Sequence, residues 1–199
     1  MWQRLFFRFG AKRTFRRLKV AVWALSTSEE TALAFDKLDS ALRLIEKYAP
    51  EKSRTLQVDV RSILVAGLPT FRACYIHKLR MVELYQGYVL DVQTTPESLA
   101  CSLIHEAQHA RLYRLEFGYD ESIRGRIERL CFRAERNFAR LLPKGDGLVA
   151  EAEAWMNADP ESVFSDESLR RSKIEALREL GCPDWIIRTV AWVSRRRAA

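Results

Sequence analysis

The 199-residue chain lacks the features of several familiar protein classes. It has no run near the roughly 18 uninterrupted apolar residues that span a bilayer, and it has no internal repeat or low-complexity linker. Its cysteines form no CxxC pair, which argues against a cysteine-based metal knuckle and favours reduced thiols. The apolar run that ends at Leu25 is too short for a secretory signal. These absences predict a soluble protein of the cytoplasm.

Acidic residues are missing from the first 19 positions, which hold seven of the 33 basic residues. The other 26 bases match the 26 acids, so the net charge of +7 belongs to one segment. A body of balanced charge offers no extended basic face, and nucleic acid is therefore not expected as a partner.

The basic segment also carries apolar residues at helical spacing. Trp2, Leu5, Phe6 and Phe9 form one stripe, and a second helical stripe runs through Phe15, Leu18 and Val22. Such a segment either docks onto the fold or makes a peripheral membrane contact through residues 1–23. We therefore predict a basic amphipathic segment at residues 1–25 and a single domain at residues 26–199.

The rest of the chain predicts a mainly helical α+β fold. Helical periodicity covers Ser28 to Tyr48, and shorter runs rich in Val, Ile and Tyr predict strands within 56–65, 71–79 and 81–92. Thr94, Pro96 and Glu97 predict the start of a capped helix that ends near Glu116. Further helices are expected at 121–142, 148–157, 166–180 and 185–193, followed by a tail with Arg195 to Arg197. We expect a small antiparallel or mixed sheet beside the capped helix.

That capped helix contains the motif His105-Glu106-Ala107-Gln108-His109, which uses two of the three histidines. Residues four apart share one helical face, so both imidazoles can reach a single ion. Glu106 lies one step round the helix, where its carboxylate can meet a metal-activated water. Neutral imidazoles with an open fourth position suit a catalytic Zn²⁺ ion.

Two histidines leave such a zinc ion one protein ligand short. No histidine follows His109, and Leu112 and Leu115 occupy the positions that Gly and His would take in the longer HExxHxxGxxH pattern. A carboxylate or thiolate is therefore required. Glu128, which 18 residues separate from His109, can return on a second helix. The remaining candidate ligands are Glu135, Asp120 and Cys131.

The motif with its 18-residue spacing resembles the gluzincin metallopeptidases, which include thermolysin-like enzymes and the HExxH-x18-E aminopeptidases. The resemblance covers about 24 residues and implies a zincin-like core. It also implies zinc held by His105, His109 and Glu128, with Glu106 as general base. The helix would lie beside an edge strand that binds extended peptide, here within Met81 to Val92.

Thermolysin-like enzymes also place a tyrosine between the second histidine and the glutamate, where it steadies the oxyanion. Tyr119 is the corresponding residue by the resemblance, and Tyr113 is its rival. The chain departs from both groups, because it has neither the NExxSD context around Glu128 nor the aminopeptidase signature for a free amino terminus.

The predicted function is that of a zinc-dependent hydrolase, a metallopeptidase acting on a peptide or protein substrate. The alternative is a metal-stabilised binding protein without catalytic activity. In that case the basic N-terminal segment would contact a membrane surface, an acidic protein or nucleic acid.

Overall fold

The computed structural model describes residues 2–23, 27–66, 71–159, 163–179, 181–185 and 187–189. Helices predominate over strands. In chain order the elements are α1 (Trp2–Phe9), β1 (Ala11–Phe15), β2 (Leu18–Val22), α2 (Ser28–Tyr48), α3 (Pro50–Asp59), β3 (Ser62–Val65), β4 (Ala73–Ile76), β5 (Met81–Leu84), α4 (Gln86–Leu90), α5 (Pro96–Arg114), α6 (Glu121–Ala139), α7 (Asp146–Asn157) and α8 (Asp166–Glu179).

The five strands form one mixed sheet in the order β1-β2-β3-β5-β4. The outer pairs β1/β2 and β5/β4 are antiparallel, whereas β3 runs parallel to both of its neighbours. All four residues of β3 are buried, as expected of a central parallel strand covered on both faces. The predicted mainly helical α+β class with a small mixed sheet is confirmed.

The main core lies on the face of the sheet that meets α2 and α5. Ile63 and Val82 point to this side, where they join Leu38 of α2 and Leu103 of α5 in one buried cluster. A smaller cluster on the opposite face contains Ala21, Leu64 and Met81, and Phe6 and Phe7 of α1 pack against it. We call this second side the back face of the sheet.

The second helical stripe predicted for the N-terminus is wrong, since residues 11–22 form the β1–β2 hairpin. Leu18, Val20 and Val22 repeat every second position and are buried, which is the period of a strand rather than a helix. Because β2 lies between β1 and β3, residues 11–22 belong to the sheet of the main domain. The predicted boundary at residue 25 therefore does not separate residues 11–22 from the main domain.

Each of the three predicted strand regions contains a strand, although the strands are shorter than expected. Residues 56–59 belong instead to α3, and 86–90 form α4. Pro50 follows the end of α2 and is also the first residue of α3. Proline is tolerated there because the backbone N–H groups of the first helical turn have no partner within the helix. Neither short helix was predicted.

Helix α2 has the predicted bounds, and its N-cap is Thr27 in a capping box with Glu30. The cap of α5 is Thr95, whose side chain accepts from the Ser98 backbone N–H, and not the predicted Thr94. The helices α6, α7 and α8 match their predicted ranges within three residues. The predicted helix 185–193 lies partly, and the Arg195 to Arg197 tail wholly, outside the described residues.

No described helix is both long enough and apolar enough to cross a bilayer. The four cysteines are free thiols.

The packing of α5 against the sheet gives a test of the core. Leu103→Ala should lower the free energy of unfolding by about 2–5 kcal/mol, because the side chain is fully buried. Leu115→Ala, at a position 50% exposed beyond the end of α5, should change it by less than about 0.5 kcal/mol. Urea denaturation followed by circular dichroism measures both. Equal losses for the two variants would contradict this packing.

Candidate metal centre

Helix α5 lies in the interior of the protein, and so do His105 and Glu106 of its HExxH motif. It packs against α2 and the sheet on one side and against α6 on the other. His105 is 9% exposed and Glu106 is 5% exposed. Buried ionisable groups need partners or a ligand, so the motif is not a pair of solvated surface histidines.

The two imidazoles converge on one carboxylate. His105 Nε2 lies 3.2 Å from Glu128 Oε2, and His109 Nε2 lies 3.4 Å from Glu128 Oε1. The ring centroids of the two histidines are 5.0 Å apart. Tetrahedral ligands at zinc distances are themselves about 3.3 Å apart. The His105 and His109 rings and the Glu128 carboxylate therefore form one compact cluster, with each imidazole facing a different carboxylate oxygen.

Glu135 binds the other side of the His105 ring. Its Oε2 lies 3.1 Å from His105 Nδ1, so an Nδ1–H can donate to the carboxylate while Nε2 stays free for a metal. A carboxylate in this place orients a ligating histidine and raises its basicity. Glu135, one alternative third ligand in the sequence, thus contacts the far nitrogen of a histidine instead.

The protonation of the metal-free site follows from these contacts. Burial lowers the pKa of His105, but its hydrogen bonds to Glu128 and Glu135 outweigh burial and raise that pKa to about 10. Burial opposes the charged form of Glu128 as well, yet the two histidines hold its pKa well below the usual range. Without metal the centre is an imidazolium–carboxylate cluster.

Glu106 is the third carboxylate of the site. It lines the same cleft as the two histidines, and no described residue donates a hydrogen bond to it. Burial raises its pKa, although the neighbouring histidines partly oppose that shift. A buried carboxylate that faces a cleft without a bonded neighbour is available to take a proton from a molecule bound there.

Tyr119 contacts the same centre from the turn between α5 and α6. Its hydroxyl donates to Glu128 Oε1, and its ring meets the His109 ring edge-on at 5.5 Å. Burial and the Glu128 charge raise its pKa, which keeps it a phenol. Tyr113, the rival, is exposed to a similar degree as Tyr119 (51% against 47%), but its ring lies 4.9 Å from His77 and not at the two motif histidines. Tyr119 is therefore the tyrosine at the centre.

Cys131 is the other ligand candidate that the fold brings close. Its Sγ and ring nitrogens of His105 and His109 all lie within 4.8 Å of one another, so this trio can also hold a metal ion. Burial raises the pKa of the thiol, whereas Glu128 is already ionised. Both Glu128 and Cys131 therefore remain candidate ligands beside the two histidines. Asp120 is exposed at the N-cap of α6 and makes no contact with the two histidines that the structure describes.

The centre opens into a cleft of about 880 Å³. The cleft is lined by residues of β4, α5, α6, α7 and α8, and by Val163 and Phe164, which precede α8. The edge strand predicted within Met81 to Val92 is wrong, because β5 lies between β3 and β4. The strand at the cleft is β4, which pairs on its other side with no described strand.

An aromatic wall of the cleft was missed in the sequence. Phe132 meets the His105 ring edge-on at 4.5 Å, and Trp155 stacks on Phe132 at 5.8 Å. Phe132 is four residues after Glu128 and so shares its face of α6, a signal that was available. Trp155 comes from α7, and nothing local in the sequence relates it to the motif.

Arg124 connects this wall to Tyr119. It is 8% exposed, and its guanidinium carbon lies 5.3 Å from the centre of the Tyr119 ring. The same guanidinium donates to the Phe164 carbonyl at 2.8 Å and pairs with Asp166 at 2.7 Å. Arg124 thus holds the start of α8 and the ring of Tyr119 in one arrangement.

No protein-family model, curated protein or solved structure matches this chain. The function must therefore follow from the chemistry of the site itself.

The two carboxylates around His105 should differ in their effect on metal binding. Glu128→Ala removes the expected third ligand and should abolish tight zinc binding. Glu135→Gln keeps the three expected ligands and should weaken zinc binding by about 10–100-fold. Titration against a chelator of known affinity measures both, and Glu116→Gln, at an exposed site beyond α5, is the matched control. A larger loss of zinc affinity for Glu135→Gln than for Glu128→Ala would mean that Glu135 is the ligand and that Glu128 orients His105.

Zinc binding should also depend on pH. In the metal-free protein the pKa of His105 is about 10, so zinc must displace its proton below that pH. The apparent affinity should then rise about tenfold for each unit of pH between about 6 and 8. Isothermal titration in buffers of different ionisation enthalpy should detect the released proton. An affinity independent of pH, with no proton released, would contradict the protonated His105.

Proposed function

We propose that the protein is a zinc-dependent hydrolase, a metallopeptidase of the gluzincin type with a zincin-like core. The observation that carries the proposal is the buried Glu106 carboxylate, which faces the cleft beside His105, His109 and Glu128 and accepts no hydrogen bond from a described residue. A purely structural metal site has no use for this group, since its burial costs free energy.

The proposed ligands are His105, His109 and Glu128. A zinc ion held by them would polarise the substrate carbonyl and lower the pKa of the attacking water. Glu106 takes the proton from that water as its oxygen attacks the carbonyl carbon. The raised pKa of Glu106 suits a group that next gives the proton to the leaving amine nitrogen as the C–N bond breaks.

Tyr119 is the proposed donor to the oxyanion. The Tyr119 hydroxyl donates a hydrogen bond to Glu128, a proposed ligand. A modest rotation of the Tyr119 side chain can redirect that hydrogen bond to the negative oxygen that forms in the transition state. The guanidinium of Arg124 over its ring limits the positions that the ring can take. Preorganised donors of this kind supply a large part of many rate enhancements.

The shape of the cleft favours an extended peptide or protein substrate. Strand β4 offers backbone N–H and C=O groups along an edge that no described strand covers, and an extended peptide can add there as a further strand. The aromatic wall of Phe132 and Trp155 lies across the centre from β4. We place the reaction in the cytoplasm because all four thiols are free.

The role of Glu106 can be tested by a change that keeps its shape. Glu106→Gln should retain zinc and lower the turnover of a fluorogenic peptide library by about 100-fold or more, because the general base is lost. Glu116→Gln, the matched control, should keep the full rate.

The alternative, a metal-stabilised binding protein, predicts no hydrolysis by the zinc-loaded wild type above a zinc-free control. That result, or equal rates for the wild type and Glu106→Gln, would overturn the proposed enzyme.

A further inference from the structure

Helix α1 has two different faces. Phe6 and Phe7 turn inward and pack against the back face of the sheet, where the Phe6 ring lies 4.2 Å from Trp23. The exposed face contains Arg4, Leu5, Arg8 and Phe9. These residues are spaced i, i+1, i+4 and i+5, so they form one strip on the helix.

Two large apolar side chains of this strip are open to solvent. Leu5 is 56% exposed and Phe9 is 66% exposed. They do not hold α1 on the sheet, because Phe6 and Phe7 already do so. Scattered apolar residues are common on protein surfaces, but two neighbours flanked by arginines on a helix form a surface of definite chemistry.

The arginines of the strip differ from those of the following hairpin in their ion pairs. Arg13 and Arg16 of the following hairpin pair with Asp36 and Glu46 of α2. By contrast, no acid among the described residues pairs with Arg4 or Arg8. With no acid in the first 19 positions, this end of the molecule carries a local excess of positive charge.

We propose that the strip Arg4-Leu5-Arg8-Phe9 docks the protein on the surface of an anionic phospholipid bilayer. Leu5 and Phe9 would enter the boundary between headgroups and acyl chains, and the two arginines would contact lipid phosphates. A nucleic acid would use the arginines but would gain nothing from Leu5, which is why the observations favour lipid.

The position of α1 keeps the metal centre accessible in this arrangement. The cleft lies between β4 and the helices α5 and α6, and no α1 residue lines it. Strand β4 is at one edge of the sheet, whereas α1 covers the back face. Docking through α1 therefore leaves the cleft open, and α1 is not a lid over it. This inference does not depend on the proposed hydrolase.

Flotation of the full-length protein with vesicles tests the docking. The wild type should bind vesicles containing about one-third phosphatidylserine and should not bind pure phosphatidylcholine. The double variant Leu5→Ser with Phe9→Ser should bind at least about tenfold more weakly, because the apolar contact is lost. Arg4→Gln with Arg8→Gln should bind more weakly and show a smaller loss in high salt.

Matched controls change the same residue types elsewhere. Val58→Ser with Val92→Ser alters apolar residues that are 60% and 85% exposed, and Arg126→Gln with Arg129→Gln alters two exposed arginines of α6. Both controls should bind like the wild type. The inference is overturned by wild-type binding no stronger than that of the Leu5/Phe9 variant. It is equally overturned if the wild type binds only RNA or an acidic polypeptide.

Discussion

The Glu128 carboxylate, shared by two imidazoles across the contact of α5 and α6, is the interaction on which the described site depends. Each oxygen faces one histidine, at 3.2 Å and 3.4 Å, and the Glu128 charge stabilises the protonated His105 imidazole where water is scarce. Removing Glu128 or His105 would leave the charge of the other buried without compensation, which is costly. The same carboxylate accepts from Tyr119, and Glu135 holds the far side of His105. The same side chains thus join α6 to α5 and line the cleft.

The parts that sequence predicted well are those set by local periodicity. The HExxH helix is read directly from spacing, since residues four apart share a face, and α2 has both predicted ends. The proximity of Glu128 to both histidines was also predicted, because 18 residues suffice for a helix to end and a second one to return. The cap of α5 was placed one residue early, a small error because Thr94 and Thr95 are both capping residues.

Contacts between distant segments were harder to predict. Sheet order depends on pairing between segments far apart in sequence, so the edge strand was assigned to β5 although β4 occupies that position. The hairpin of residues 11–22 was taken for a helix because Phe15, Leu18 and Val22 also fit a helical stripe. The role of Glu135 could not be decided from sequence for a similar reason. The rotation of α6 about its axis determines which nitrogen of His105 the Glu135 carboxylate contacts. The aromatic wall joins α6 to α7 through Trp155, and no local sequence pattern predicts such a contact.

X-ray absorption spectroscopy of the zinc-loaded protein tests the central claim most directly, because it reports the atoms bound to the metal. We predict two imidazole nitrogens and carboxylate or solvent oxygens at about 2.0–2.2 Å, with no sulfur. A sulfur neighbour at about 2.3 Å would mean that Cys131 takes the place given to Glu128. A shell without imidazole would contradict the site altogether.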